Sequence, residues 1–138
     1  MTNNHIRRLA LQAHTDNLSQ VMSFIESCLE NTNCSVKAKM QIDLAIEEIF
    51  VNVANYAYGS QSGDVTVKVD AKPHNVMITF IDSGVPYDPL KKPDPDVTLS
   101  AQERQIGGLG IFLTKKFMDD VSYEYKDGKN HLTLKKNF

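Results

Sequence analysis

The sequence predicts an α/β two-layer sandwich, in which a mixed, mostly antiparallel sheet carries its helices on one face. Two long segments have amphipathic helical spacing, and two pairs of alternating apolar segments have hairpin-like connections. Repeated strand–helix–strand crossovers, which a parallel sheet needs, are not found in the pattern. The 138 residues have the length of one domain, so a single domain over 1–138 is expected.

The first predicted elements are an edge strand and an amphipathic helix. Residues 5–11 are short and partly apolar, which favours a strand at the edge of the sheet. Apolar side chains then recur at helical spacing from about 16 to 31. Thr15 and Asp16 precede this helix, and either residue type can cap a helix N-terminus.

A second, longer helix and a hairpin follow. The helix is predicted over 36–58, with Gly59 as its C-cap. Alternating apolar residues then fill 65–69 and 76–80, and the short connection 72–75 between them predicts an antiparallel hairpin.

The segment 83–107 has no regular pattern and is predicted to be a lid or binding loop. A long stretch without secondary structure inside a compact domain is usually functional, because its ordering otherwise costs conformational entropy without return. Four of the five prolines lie in it: Pro86, Pro89, Pro93 and Pro95.

Regular structure resumes with a glycine-rich segment at 107–110. A helix is predicted from there to about Asp119. Two final strands, around 121–125 and 132–134, are joined by Asp127-Gly128, a dipeptide typical of two-residue hairpin turns.

Composition excludes several classes of function. The net charge of −2 and a pI near 6.0 argue against direct binding of nucleic acid. No apolar run approaches the roughly 18 residues that cross a bilayer, and the N-terminus has no apolar signal core, so a cytoplasmic protein is expected. Cys28 and Cys34 have no further cysteine pair or histidine cluster, which predicts free thiols rather than a zinc site.

The long helix carries a polar face suited to metal and proton chemistry. Glu48, Asn52 and Asn55 fall within roughly 60° on the helical wheel. One apolar stripe of the helix contains Ile42, Ile46, Ile49 and Val53, and Leu44 and Val51 flank the polar face on its far side, so the polar side chains are expected in a groove between two apolar stripes. An amide oxygen such as that of Asn52 can ligate Mg²⁺. Glu48, one turn away, can orient or deprotonate a hydroxyl. The alternative is a solvated helix face, where Glu and Asn are common.

Two further motifs suit a nucleotide. Asp82 ends the second hairpin strand, where a carboxylate can accept a hydrogen bond from an exocyclic amine, and Gly84 allows a sharp turn. The alternative is a simple turn. The run 107–110 opens a helix with glycines whose N–H groups can bind phosphate, although it matches neither the dinucleotide nor the Walker pattern. The alternative is a loop hinge.

The polar helix face with Glu48 and Asn52, the Asp82–Gly84 turn and the loop 108–110 resemble, in this order, the N, G1 and G2 boxes of the GHKL ATPase superfamily. That superfamily includes histidine-kinase catalytic domains, type II topoisomerase ATPase domains, Hsp90 and MutL. The chain looks most like the RsbW-like anti-sigma factor serine/threonine kinases, particularly over 82–90, 106–113 and 118–123. The resemblance covers residues 5–137.

The resemblance implies a Bergerat-type ATP-binding fold with ATP and Mg²⁺ as cofactors. Glu48 would be the general base and Asn52 the Mg²⁺ ligand. Asp82 would accept from the adenine amine, and Thr133 matches a threonine that supports this aspartate. The remaining nucleotide-contacting residues that the resemblance implies are Asn55, Gly84, Gly107, Gly108, Leu109 and Gly110. Many superfamily members have a glycine where this chain has Pro86, which fixes φ and stiffens the start of the lid.

Members of that branch bind a sigma factor and phosphorylate a serine or threonine on a STAS-domain antagonist. The resemblance therefore implies a protein serine/threonine kinase and anti-sigma regulatory factor, acting as a homodimer. One alternative is a binding module that ATP gates without phosphoryl transfer, which Pro86 favours. Another is an ATPase or histidine-kinase fragment, although no histidine of the chain lies in a phosphoacceptor helix pair.

Overall fold

A computed structural model describes residues 6–58, 62–91 and 108–138, and these contain five strands and three α-helices. The strands are β1 (Ile6–Gln12), β2 (Asp64–Lys72), β3 (Asn75–Asp82), β4 (Asp120–Lys126) and β5 (Lys129–Asn137). The helices are α1 (Leu18–Leu29), α2 (Val36–Tyr56) and α3 (Gly108–Phe117). Short 3₁₀ turns lie at Thr15–Asn17 and Pro89–Lys91.

The strands form one sheet in the order β1-β2-β3-β5-β4, which confirms the predicted two-layer sandwich. All four strand pairings between described residues are antiparallel, so the sheet contains no parallel pair there. Both predicted hairpins are confirmed, as β2–β3 and β4–β5. After β3 the chain forms α3 and β4, and then returns as β5 between β3 and β4. Because β5 runs antiparallel to β3, the end of β3 lies beside the start of β5.

The core lies between one face of the sheet and the helices. Inward-facing residues alternate along β2, β3 and β5, as strand geometry requires. They pack with apolar residues of α1 and α2 in a single cluster. The largest fully buried side chains in it include Phe50, Phe80, Ile25, Ile42 and Ile46. Met77 lies on the opposite face of the sheet and is 41% exposed.

Helix starts differ partly from the prediction. Thr15 and Asp16 do not cap α1, because both lie inside the 3₁₀ turn that precedes it. The cap of that turn is His14, whose Nδ1 accepts a hydrogen bond from the Asp16 N–H at 3.0 Å. In α2, the Ser35 hydroxyl accepts from the Ala38 N–H at 3.1 Å, as in a regular N-cap.

The C-terminus of α2 is formed by Ala57, whose N–H donates to the Val53 carbonyl. The predicted C-cap, Gly59, lies outside the described residues. Between β4 and β5, Asp127 and Gly128 both have positive φ, 55° and 75°. Positive φ at both central residues is the signature of the type I′ hairpin turn that Asp-Gly favours.

None of the helices within the described ranges is long and apolar enough to cross a membrane. Nor do the side chains described there include a group of three or more His, Cys, Asp or Glu residues that could hold a metal ion.

Candidate functional site

Asp82 is a buried carboxylate with one oxygen left unpaired by the described protein. It ends β3 and is 6% exposed. Its Oδ1 accepts hydrogen bonds from the Gly84 N–H and from Nδ2 of Asn130, each at 2.9 Å. No donor from residues 6–58, 62–91 or 108–138 reaches Oδ2. Because a buried acceptor without a partner costs about 1–3 kcal/mol, Oδ2 is suited to a donor from a ligand.

The turn after Asp82 lies directly against the C-terminus of α2. A Cβ atom at Gly84 would overlap the carbonyl oxygen of Ala57. The next residue, Val85, donates its N–H to that same carbonyl at 3.0 Å. Only glycine, which has no Cβ atom, allows the turn to lie this close to the helix. Gly84 therefore brings the Asp82 turn against α2, which carries Glu48 and Asn52 of the predicted site.

Tyr58, which the sequence did not single out, holds the same turn from the other side. Its hydroxyl donates to the Asp64 carbonyl at 2.5 Å and accepts from the Ser83 N–H at 2.8 Å. The ring therefore bridges the start of β2 and the residue after Asp82. No sequence signal marked this role, because a tyrosine just after a helix is compatible with many contacts.

Asn130 is the second residue that the sequence patterns did not indicate. It is 6% exposed and lies directly opposite Asp82 in the β3–β5 pairing. Besides its bond to Asp82, its Nδ2 donates to the Val85 carbonyl at 2.9 Å. Its Oδ1 accepts from the Tyr87 N–H at 3.2 Å and from the Tyr123 hydroxyl. The signal that could have found it is its phase: it is a polar residue in step with the inward-facing residues of β5.

Thr133 does not support Asp82, which corrects the expectation from the resemblance. Its partner across the sheet is Thr79, and the two hydroxyls lie 3.0 Å apart. Successive side chains of a strand point to opposite faces. Since Leu132 and Leu134 face the core, Thr133 faces away from it, whereas Asp82 and Asn130 lie on the core side. The structure thus separates Thr133 from the other predicted site residues.

Glu48 and Asn52 lie one helical turn apart on α2, and Asn55 follows in the last turn. Glu48 and Asn52 are half-buried, and Asn55 is exposed. Burial raises the pKa of the Glu48 carboxyl, and the neighbouring Glu47 raises it further. No hydrogen bond or ion pair joins any of the three side chains to another described residue, so their polar atoms are available to a ligand.

The predicted second apolar border of this polar face is not buried. Leu44 is 48% exposed, and Val51 is half-buried. The groove expected between two apolar stripes is therefore open on that side among the described residues. The buried side of α2 follows the other stripe, through Ile42, Ile46 and Ile49.

The glycine-rich segment begins α3. Gly108, Leu109 and Gly110 form the first turn of this helix, and Gly107 lies outside the described residues. The first N–H groups of a helix have no intrahelical acceptor and carry partial positive charge, which suits an anion. Helix α3 packs against α2, so the helix carrying the glycines and the helix carrying Glu48 and Asn52 are neighbours.

A family model described as histidine kinase-like ATPase domain matches residues 11–136. The chain is similar to the serine/threonine-protein kinase BtrW of Bordetella bronchiseptica, with 25% identity over 91% of this chain and 89% of that protein. It is 29% identical to the serine-protein kinase RsbW of Listeria monocytogenes over 68% of this chain, and spans 63% of that relative's length. It is 21% identical to an anti-sigma F factor of Caldanaerobacter subterraneus, over 96% of this chain and 92% of that protein.

Among solved structures, the chain is similar to the RsbU and RsbW domains of a Mycobacterium tuberculosis protein. The TM-score is 0.66 at 16% identity, and the match covers 96% of this chain and 32% of that one. At this identity the likeness shows a shared fold. It agrees with the two-layer sandwich described above.

Proposed function

Because this chain belongs to the family of histidine kinase-like ATPase domains, we propose that it binds ATP with Mg²⁺ and transfers the γ-phosphoryl group to a serine or threonine of a partner protein. The partner proposed is a STAS-type antagonist, and the chain would in turn sequester a sigma factor or another regulatory protein. The observation that carries the nucleotide part of this proposal is Asp82, with its buried carboxylate and its unpaired Oδ2.

Asp82 suits adenine rather than guanine. The 6-amino group of adenine is a hydrogen-bond donor, and Oδ2 is an acceptor that no described residue fills. Guanine has a carbonyl oxygen at the same ring position, which would face the carboxylate as a second acceptor. A site built to pair with a polar substrate group rejects an analogue that lacks the matching group. The proposal therefore includes a preference for ATP over GTP.

The residues proposed for the phosphates and metal are those of α2 and the first turn of α3. Asn52 offers an amide oxygen, the type of hard ligand that Mg²⁺ takes together with phosphate oxygens and water. Asn55 would line the phosphate side, and the N–H groups at Gly108, Leu109 and Gly110 would face the phosphates. When bound, Mg²⁺ neutralises charge on the transferring phosphate.

Glu48 is proposed as the base for the acceptor hydroxyl. In the transfer step, the serine or threonine oxygen forms a bond to the γ-phosphorus as the bond to the β-phosphate oxygen breaks, and ADP leaves. The hydroxyl proton passes to Glu48. The raised pKa of this carboxyl makes it a stronger base than an exposed glutamate, which suits the role.

The names of the relatives support the kinase and anti-sigma parts of the proposal. BtrW and RsbW are named as protein kinases, and a third relative is named as an anti-sigma F factor. For this chain we propose a serine or threonine hydroxyl of a protein as the acceptor of the phosphoryl group, and a sigma factor or similar regulator as a partner. Action as a homodimer in the cytoplasm is part of the same proposal.

A second candidate function is an ATP-gated binding module without phosphoryl transfer. Pro86 favours it, because it lies between two residues whose backbone groups are held by Asn130: the Val85 carbonyl and the Tyr87 N–H. A proline with fixed φ in so constrained a position stiffens the start of the segment that follows Asp82. Restricted motion there would oppose the rearrangements that turnover requires.

A labelling experiment distinguishes the two functions. The protein is incubated with γ-³²P-ATP, Mg²⁺ and a STAS-domain protein encoded beside its gene. The kinase proposal predicts label on the partner, loss of that label in Glu48→Gln, and retention in the control Glu47→Gln, which changes an exposed neighbour of equal charge. ATP binding without label on the partner would establish the gating module instead. Label that persists in Glu48→Gln would contradict the role of Glu48.

A further inference from the structure

Asn130 joins three parts of the molecule through one buried amide. Its Nδ2 bonds Asp82 at the end of β3 and the Val85 carbonyl in the following segment, each at 2.9 Å. Its Oδ1 accepts from Tyr87, later in the same segment, and from Tyr123 on β4. The side chain is therefore satisfied at both ends, which is the condition under which a buried polar group specifies one arrangement.

The surrounding groups fix which way this amide points. Asp82 and the Val85 carbonyl are acceptors, so they require the NH₂ group on their side. The Tyr87 N–H is a donor, so it requires the amide oxygen. A reversed amide would place its oxygen against two acceptors, the carboxylate and the carbonyl, and its NH₂ group against a donor, the Tyr87 N–H. None of these three hydrogen bonds could then form.

Tyr123 completes the arrangement from the neighbouring strand. Its hydroxyl donates to Oδ1 of Asn130 and accepts from the Tyr87 N–H at 3.2 Å. Burial is the main reason that the pKa of this phenol is raised above its ordinary value, and the neutral phenol carries the hydrogen that it donates to Asn130. Removing it would leave the amide oxygen with the Tyr87 N–H as its remaining described donor.

We propose that Asn130 and Tyr123 are positioning residues for adenine recognition, holding Asp82 and the backbone of residues 85–87 as one unit so that Oδ2 faces the nucleotide's 6-amino group. The inference rests on the proposed function and deepens it. Neither residue needs to touch the nucleotide. Both act through the carboxylate, since every described bond to Asp82 reaches Oδ1 and leaves Oδ2 to the base.

The test compares ATP with purine riboside triphosphate, which lacks the 6-amino group, by titration calorimetry with Mg²⁺. Tyr123→Phe retains the ring and removes the hydroxyl, and Asn130→Leu retains the approximate volume of the side chain and removes the hydrogen bonds that its NH₂ group makes. We expect Tyr123→Phe to weaken ATP binding about 3- to 10-fold and Asn130→Leu more than 10-fold. Binding of the analogue should change less than about twofold, because the change acts through the pairing with the 6-amino group.

Tyr125→Phe is the matched control. Tyr125 lies two residues along the same strand, is 47% exposed, and makes no hydrogen bond to another described residue. It should bind both nucleotides as the wild type does. Thermal melting of each variant without nucleotide checks that the chain is folded.

Two results would overturn the inference, and they differ. Variants that weaken ATP and the analogue equally, or that keep the wild-type preference for ATP, would show that Asn130 and Tyr123 do not position Asp82, while the adenine site would stand. A wild-type chain that binds ATP no better than the analogue would overturn the proposed role of Asp82, and the positioning role with it.

Discussion

Asp82 and Asn130 face each other across the β3–β5 pair, and Nδ2 of Asn130 donates to Oδ1 of Asp82 at 2.9 Å. The two residues are 48 positions apart in sequence and meet because β5 inserts between β3 and β4. The sheet topology thus supplies the partner that fixes one oxygen of the carboxylate. We propose that the other oxygen, Oδ2, accepts a hydrogen bond from the 6-amino group of the nucleotide.

Gly84→Ala should destabilise the fold and weaken ATP binding together. The added methyl group would overlap the Ala57 carbonyl, so the Asp82 turn or the end of α2 must move. Overpacking of this kind costs about 1–3 kcal/mol. Urea unfolding and nucleotide titration measure both effects. Ser83→Ala, a change at the adjacent exposed residue, is the control and should leave the free energy of unfolding within about 0.5 kcal/mol.

Tyr58→Phe should lower the free energy of unfolding by about 1 kcal/mol, because the hydroxyl that bonds both Asp64 and Ser83 is lost. Chemical denaturation with and without ATP is the measurement. We expect a larger loss of stability in the presence of saturating ATP, since the turn that carries Asp82 is held less firmly. An equal loss under both conditions would show that Tyr58 supports the fold alone.

The rate of phosphoryl transfer should fall on the acid side as Glu48 becomes protonated. Because burial and Glu47 raise its pKa above the ordinary value of 4.5, the fall should begin at higher pH than for an exposed glutamate. Glu47→Gln removes the smaller of the two causes and should shift the acid limb to lower pH. A pH–rate profile of both proteins checks this. An unchanged limb would contradict the coupling between the two carboxylates.

Glu48→Gln should make the protein more stable at neutral pH while abolishing transfer. A carboxyl whose pKa is raised on folding contributes stability that is fully present below its unfolded pKa and is lost as pH rises through the folded pKa. At pH 7 the ionised Glu48 therefore disfavours the folded state, and a neutral amide of the same shape removes that effect. Urea unfolding at pH 4 and pH 7 should show the difference between variant and wild type growing with pH.

Local patterns predicted most of the fold, because each element carries its own signal. Alternation marked the strands of both hairpins, and Asp127-Gly128 marked the turn between β4 and β5. The cap of α1 was predicted wrongly, since Thr15 and Asp16 suit a 3₁₀ turn as well as a helix start.

The site was less predictable, because its geometry depends on contacts between distant segments. Asp82 and Gly84 were singled out by their place at a strand end, and their role toward a nucleotide stays a proposal. Tyr58 and Tyr123 act through hydroxyls whose partners only the folded chain reveals. The roles of Thr133 and Asn130 could have been predicted, because the alternation along β5 places the two residues on opposite faces of the sheet. Applied to polar residues, this alternation would have excluded Thr133 as a partner of Asp82 and indicated Asn130 instead.

The most direct test of the account is calorimetric titration of Asp82→Asn with ATP and Mg²⁺, beside the wild type and Asp70→Asn. Asp70 is on β2, on the face of the sheet away from the core, and serves as a control of equal charge. We predict that wild type and Asp70→Asn bind ATP alike and GTP weakly, and that Asp82→Asn loses at least about 10-fold in ATP affinity. Equal ATP affinity of all three proteins, or no uptake of ATP by the wild type, would contradict adenine recognition by Asp82.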